Sequence, residues 1–178
     1  TSAPTLGSAI DNVAPVTGSV SSGGTTNDPR PTVNGSGAEP GTSVNVYDNV
    51  VLIATVPVDG AGNWSYTPST DLGEGNHSLQ FSNVDEAGNE GPQSGAFTFT
   101  VDTEAPVTVP VLGSVTDDVA PGVGSISAGG TTNDPRPTFS GSGAEPGTSV
   151  NIYDNGVLVT AVPVDGSGNW SYTPSSDL

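Results

Sequence analysis

The run Phe97-Thr98-Phe99-Thr100-Val101 alternates apolar and polar side chains without a break, the period of a strand with one dry and one wet face. Working back along the chain, Val44 and Val46, Trp64 and Tyr66, and Leu79 and Phe81 alternate with polar neighbours in the same way. Between these segments fall turn signals rich in Gly, Asp, Asn and Pro: GAEPG from Gly37, DN at Asp48, DGAGN from Asp59, DLGEGN from Asp71 and DEAGN from Asp85. No segment offers a helical period of useful length.

Short strands centred near Leu6, Arg30, Val44, Leu52, Trp64, Leu79 and Phe97 make about seven in roughly 100 residues, the pattern of an antiparallel, all-β, immunoglobulin-like sandwich. Successive strands in such a sandwich run between opposite poles. The TTNDP loop, the turn at Asp48, the loop after Asp71 and the end of the last strand at Asp102 are therefore expected at one pole. GAEPG, DGAGN and DEAGN are expected at the other.

The sequence DNVAPVTGSVSSGGTTNDPRPT from Asp11 returns as DDVAPGVGSISAGGTTNDPRPT from Asp117, and the match runs without a gap to Leu72 and Leu178 at an offset of 106 residues. Over those 62 positions 48 are identical, which makes the chain a tandem repeat of one module. The reading places repeat 1 at residues 1–102. Repeat 2, at 103–178, is incomplete and lacks any counterpart of the last two strands. Thr1-Ser2-Ala3-Pro4 corresponds to Thr103-Glu104-Ala105-Pro106, followed in the second copy by the insertion Val107 to Pro110. The abrupt start at Thr1 suggests an excised piece.

The formal net charge is −17, with Arg30 and Arg136 the sole cations against 19 carboxylates. Such a chain cannot neutralise a phosphate backbone and is repelled by an anionic lipid surface, so nucleic-acid and lipid-surface roles are excluded as expectations. The longest apolar run, Val50 to Val58 broken by Thr55 and Pro57, falls far short of the roughly 20 residues needed for direct membrane insertion, which is not expected either. With 25 Gly, 16 Pro and 32% apolar residues, it lies near the limit at which burial offsets ordering entropy. The absence of Cys removes disulfides and thiolate metal sites, leaving hard oxygen ligands.

Taken together and in order, VDTEAP at the module boundary, D[ND]VAP, TTNDPRPT, GSGAEPGTSVN[VI]YDN, VDG-x-GNWSYTP and VDEAGN resemble the bacterial Ig-like repeats of giant RTX-type adhesins and biofilm-associated surface proteins. The resemblance covers essentially the whole chain. It implies a non-enzymatic extender displayed outside a Gram-negative cell and secreted by a type I system. Neighbouring repeats of the same chain would be its partners, Ca²⁺ would stiffen the module junctions, and a tip outside these residues would carry adhesion and biofilm formation.

Ca²⁺ takes six to eight oxygens at roughly 2.3–2.6 Å from carboxylates, amide carbonyls and the backbone. The first pole supplies Asp11, Asn12, Asn27, Asp28 and Asp102, and the second repeat supplies Asp117, Asp118, Asn133 and Asp134. A further site is expected at the junction from Asp102 and Glu104 with Glu145 and Asp165, and the resemblance adds Asp85. The alternative for Asp28 and Asp134 is a turn in which each carboxylate bonds its own backbone, and for Asp85 and Asp165 an ordinary Asp-initiated loop. The DGAGN and DEAGN loops lack EF-hand spacing, so any site must be assembled from several loops.

Enzyme chemistry finds no nucleophile–base pair. His77 reads as an exposed loop residue, and VDT at Val101 is followed by Glu104, where an aspartic-protease motif needs Gly. The rival function is a carbohydrate-binding module of a secreted protein stacking sugars on Trp64, Tyr66, Trp170 and Tyr172. In a chain this poor in aromatics, however, those rings are needed for the core, where each contributes a few kcal/mol. Arg30 and Arg136 are expected to pair with nearby carboxylates.

Overall fold

In the computed structural model, which describes residues 2–178, the alternating run at 97–101 lies inside a sheet. The chain divides into two compact units, Thr1–Glu104 and Ala105–Leu178, so Thr103 and Glu104 stay with the first. Among the described residues there is no helix.

The first unit contains β1 (Thr5–Asp11), β2 (Gly18–Ser19), β3 (Gly24–Thr26), β4 (Thr32–Ser36), β5 (Ser43–Asp48), β6 (Val51–Pro57), β7 (Trp64–Tyr66), β8 (Gly75–Val84), β9 (Glu90–Gln93) and β10 (Phe97–Val101). One sheet is ordered β2-β1-β4-β7. The other is ordered β3-β10-β8-β5-β6, with β9 also on β8. This is the immunoglobulin-like sandwich that the alternation predicts, with three short strands added and one departure from antiparallel pairing. Gly24, Thr25 and Thr26 of β3 run parallel to Phe99, Thr100 and Val101 of β10.

The core of this unit joins Val33 of one sheet to Val44, Val46, Phe81, Phe99 and Val101 of the other, with Trp64 between them. Trp64 is 3% exposed and its ring lies 4.6 Å from that of Phe81, tilted at 42°. Its indole rests on Gly35, where a Cβ would stand 2.2 Å from Cζ2. Gly141 has the same relation to Trp170, at 2.3 Å. Glycine at this position of the strand in each unit, Gly35 in one and Gly141 in the other, therefore makes room for the indole. β5 lies between β8 and β6 with Val44, Asn45 and Val46 buried, and Asn45 accepts from the Thr55 hydroxyl at 2.7 Å.

The β5–β6 hairpin turns through Asn49 (φ 46°) and Val50 (φ 65°), both left-handed as a two-residue hairpin loop of type I′ requires. The corresponding turn of the second unit uses Asn155 (φ 47°) and Gly156 (φ 82°). A β-branched residue thus occupies the left-handed position that glycine fills in the other copy.

His77 corrects its reading as an exposed loop residue. β8 begins at Gly75, so His77 is a strand residue, 8% exposed and stacked on Phe99 at 5.5 Å. The turn signals of DLGEGN run directly into the strand and hide its start.

The second unit contains β11 (Val111–Asp117), β12 (Gly124–Ser125), β13 (Thr138–Ser142), β14 (Ser149–Asp154), β15 (Val157–Pro163) and β16 (Trp170–Tyr172), with sheets β12-β11-β13-β16 and β14-β15. Its 74 residues hold no counterpart of β8 or β10. Gly130-Thr131-Thr132, identical to β3, accordingly forms no strand, because β3 is made by its pairing with β10. The core contracts to Ala144, Val150, Val162, Val164 and Trp170, with Phe139, Ile152 and Tyr172 packed against it.

Candidate metal centre

Three strands of the first unit end at one pole: β1 at Asp11, β3 at Thr26 and β10 at Val101. The pairing of β3 with β10 brings the TTNDP loop beside the outgoing chain, where the Asp102 amide donates to the Thr26 carbonyl at 2.9 Å. Asp11, Thr26, Asn27 and Asp102 thereby line one shallow depression, roofed by Pro15 and Val16.

Asp11 and Asp28 are buried, 5% and 2% exposed, and each oxygen of both carboxylates accepts a hydrogen bond. Asp11 Oδ1 takes the Val13 amide at 2.8 Å and Oδ2 the Thr26 hydroxyl at 2.6 Å. Asp28 Oδ1 takes the Arg30 amide at 2.8 Å, and Oδ2 takes the Asn12 amide at 3.1 Å. Asp28 therefore makes the turn with its own backbone that the alternative reading describes, and it also ties the loop to the end of β1. Asn12 contributes its amide to this tie while its side chain lies exposed.

The second unit reproduces the arrangement. Asp117 accepts Val119 N at 2.8 Å and the Thr132 hydroxyl at 2.6 Å, and Asp134 accepts Arg136 N at 2.8 Å and Asp118 N at 3.3 Å. Asn133 Nδ2 donates to the Ala120 carbonyl at 3.0 Å, as Asn27 does to Ala14. Asp118, standing where the first copy has Asn12, is exposed and adds a charge.

One atom of the pole is unexplained by these bonds. Asn27 Oδ1 is buried and has no hydrogen-bond partner. An orphaned amide oxygen beside two carboxylates is a hard donor set of the kind Ca²⁺ takes. Among the described residues no three His, Cys, Asp or Glu side chains converge, so a cation here would draw on Asn27, the backbone and water as well as the carboxylates.

Asp85 and Glu104 do not line this depression. Asp85 and Asp165 each close their own loop, together with Asp59. Asp85 accepts Ala87 N at 2.9 Å, Asn89 N at 2.8 Å and Asn89 Nδ2 at 2.9 Å, and the bonds of Asp165 match. Hydrogen bonds from Asn63, Asn89 and Asn169 hold these three carboxyls below the ordinary aspartate range. Glu145 is exposed, with its carbonyl accepting the Thr148 hydroxyl. Glu104 is also exposed and donates its amide to Asp102 Oδ1 at 3.2 Å.

The far pole gathers GAEPG and DGAGN as the strand directions require, since the Ala38 amide donates to the Gly62 carbonyl at 3.2 Å. Arg30 pairs with Asp71 at 3.2 Å and Arg136 with Asp177 at 3.6 Å, all four side chains being more than half exposed. Trp64 and Trp170, at 3% and 8% exposure, belong to the cores and present no platform to a sugar.

Sequence reasoning missed Asp48 and Glu74. Asp48 Oδ2 meets His77 Nδ1 at 2.7 Å, and Glu74 takes the Thr103 amide at 3.1 and 3.2 Å. Both residues sit in turn signals, and no local pattern marks their partners, 29 residues away in each case.

No curated protein matches the chain. Residues 7–103, more than half of it, match the family described as bacterial Ig-like domain. With the sandwich topology and the repeat already established, the chain belongs to the bacterial Ig-like domain family.

Proposed function

We propose that the chain is a stretch of spacer modules from the extracellular arm of a bacterial adhesin, exported by a type I route, which holds an adhesive tip away from the cell for attachment and biofilm formation. Bacterial Ig-like domains are structural modules of extracellular and surface proteins, and the tandem copies, 48 of 62 positions identical, suit an array whose units repeat one mechanical task. Ca²⁺ held at the pole by Asp11, Asn27, Asp28 and Asp102, and by Asp117, Asp118, Asn133 and Asp134 in the second copy, would neutralise charge in a chain of net −17 and stiffen it.

The observation that carries the cation is Asn27 Oδ1, a buried acceptor without a donor among acids. Extracellular Ca²⁺ modules bind at about 10⁻⁴–10⁻³ M. An ion at 100 times its dissociation constant adds about 2.7 kcal/mol per site, a large share of a small domain's stability. The test is thermal melting and small-angle scattering of the chain titrated with CaCl₂, then EGTA, with MgCl₂ as control. A Ca²⁺-selective rise in Tm and in length is expected. Indifference to Ca²⁺ would leave the loop acids as turn formers and remove the cation from the reading.

A further inference from the structure

The loop Asp71–Glu74 and the outgoing segment after β10 meet just beyond the last rung of the β8–β10 ladder, where Val101 pairs with Gly75. Past that rung β8 offers the outgoing chain no further backbone partner, and a side chain continues the pairing on that side instead. Glu74 lies one residue before β8. Its carboxylate accepts the Thr103 amide at 3.1 and 3.2 Å and also the Thr103 hydroxyl. The next amide, of Glu104, is taken by Asp102 Oδ1 at 3.2 Å, and the preceding one, of Asp102, by the Thr26 carbonyl at 2.9 Å. Three consecutive amides of the outgoing chain are thus bonded within the first unit.

The loop that carries Glu74 is itself held. The Leu72 amide donates to the Pro29 carbonyl at 2.9 Å, and His77 Nε2 faces the Gly73 carbonyl at 2.8 Å. The other ring nitrogen of His77 meets Asp48 at the end of β5, whose second oxygen takes the Ser78 amide at 3.1 Å. The Gly73 carbonyl, one residue before Glu74, is therefore tied to the buried His77 at the start of β8.

The geometry points to a latch: Glu74, braced through Gly73 by His77 and Asp48, is a positioning residue that fixes the direction in which the chain leaves the first unit, and it does so without a bound ion. This rests on the spacer reading, since a fixed exit matters in an array, but the latch and the cation fail separately.

The test is amide hydrogen exchange by NMR on the whole chain, wild type against Glu74→Ala and Glu74→Gln, in EGTA and in CaCl₂. Because Glu74 is exposed, the core amides of β5 and β8 serve as a folding control that neither variant disturbs. Wild type in EGTA is expected to protect Thr103. Loss of a charge-assisted bond in Glu74→Ala speeds that exchange roughly tenfold or more, and Glu74→Gln, which keeps an acceptor without the charge, falls between. An unprotected Thr103 in wild type, equal exchange in Glu74→Ala, or protection that appears only with Ca²⁺ would each overturn the latch. A flat Ca²⁺ titration of Tm with Thr103 still protected would support the latch and sink the cation reading instead.

Discussion

Val50→Gly should stabilise the first unit. Val50 sits at φ 65° in the β5–β6 turn, and its side chain is 80% exposed, so removing it forfeits little burial. A left-handed conformation costs an L-residue about 1–2 kcal/mol, with β-branching toward the upper end. The extra freedom of glycine in the unfolded chain takes back about 0.5–1 kcal/mol. The net gain is about 1 kcal/mol, which raises Tm by roughly 4–8 °C for a domain of this size. The second copy supplies the reciprocal experiment, because Gly156 holds the same position at φ 82° and Gly156→Val should lower that unit's stability by a similar amount. NMR-monitored melting separates the units through Phe81 and Phe99, which have no counterpart in the second. The Asn49 amide bonded to the Ser78 carbonyl at 3.0 Å reports whether the turn survives. A Val50→Gly variant that melts no higher than wild type, or a Gly156→Val variant that costs nothing, would refute the assignment of strain to this turn.

Gly35→Ala forces a Cβ to within 2.4 Å of the Thr5 carbonyl oxygen as well as onto the Trp64 ring, and should cost at least the 1–3 kcal/mol typical of overpacking, read as a lowered urea midpoint. Asp28→Ala leaves the Asn12 and Arg30 amides without an acceptor, so the unit should lose about 1–3 kcal/mol even in EGTA. If Asp28 also serves a cation, the loss grows in CaCl₂, and an equal loss in both buffers would remove it from the ligand set. The folded-state pKa of Asp59, Asp85 and Asp165 is depressed. Their contribution is therefore complete above the unfolded aspartate pKa near 3.9 and is lost as pH falls through the lower folded values. Tm measured from pH 5 to pH 2 should fall less steeply in Asp59→Asn than in wild type, and parallel curves would show that the loop bonds do not feed into global stability.

The strands that carry the core were legible because each buries one face, and the period of two in Phe97–Val101, Leu79–Phe81 and Val44–Val46 records that directly. The two- and three-residue strands were not, since Gly24-Thr25-Thr26 has no pattern of its own. The identical residues 130–132 stay out of a sheet where β10 has no counterpart. The gathering of Asp11, Asn27, Asp28 and Asp102 at one pole followed from strand direction alone. What the carboxylates do there depends on which amides point at them, and that is set by backbone turns a residue string does not encode. The role of His77, misread as a loop residue, and that of Glu74, unread, escaped because their partners, Asp48 and Thr103, are distant in sequence and adjacent only across the finished sheet.

The parallel pairing of β3 with β10 bears on what happens when the molecule is pulled. In the proposed array, tension would enter through the segment before β1 and leave through β10. β3 belongs to the incoming half of the unit, and β10 is its last strand. Because the two run in the same direction, a load drawing β10 outward slides it along β3, so the bonds between Gly24–Thr26 and Phe99–Val101 are sheared together and not opened one after another. A hairpin peeled from its end yields one bond at a time at low force, whereas a sheared set resists until all of it gives way. In the proposed spacer, these three rungs near the outgoing end of the first unit would act as a clamp against tension.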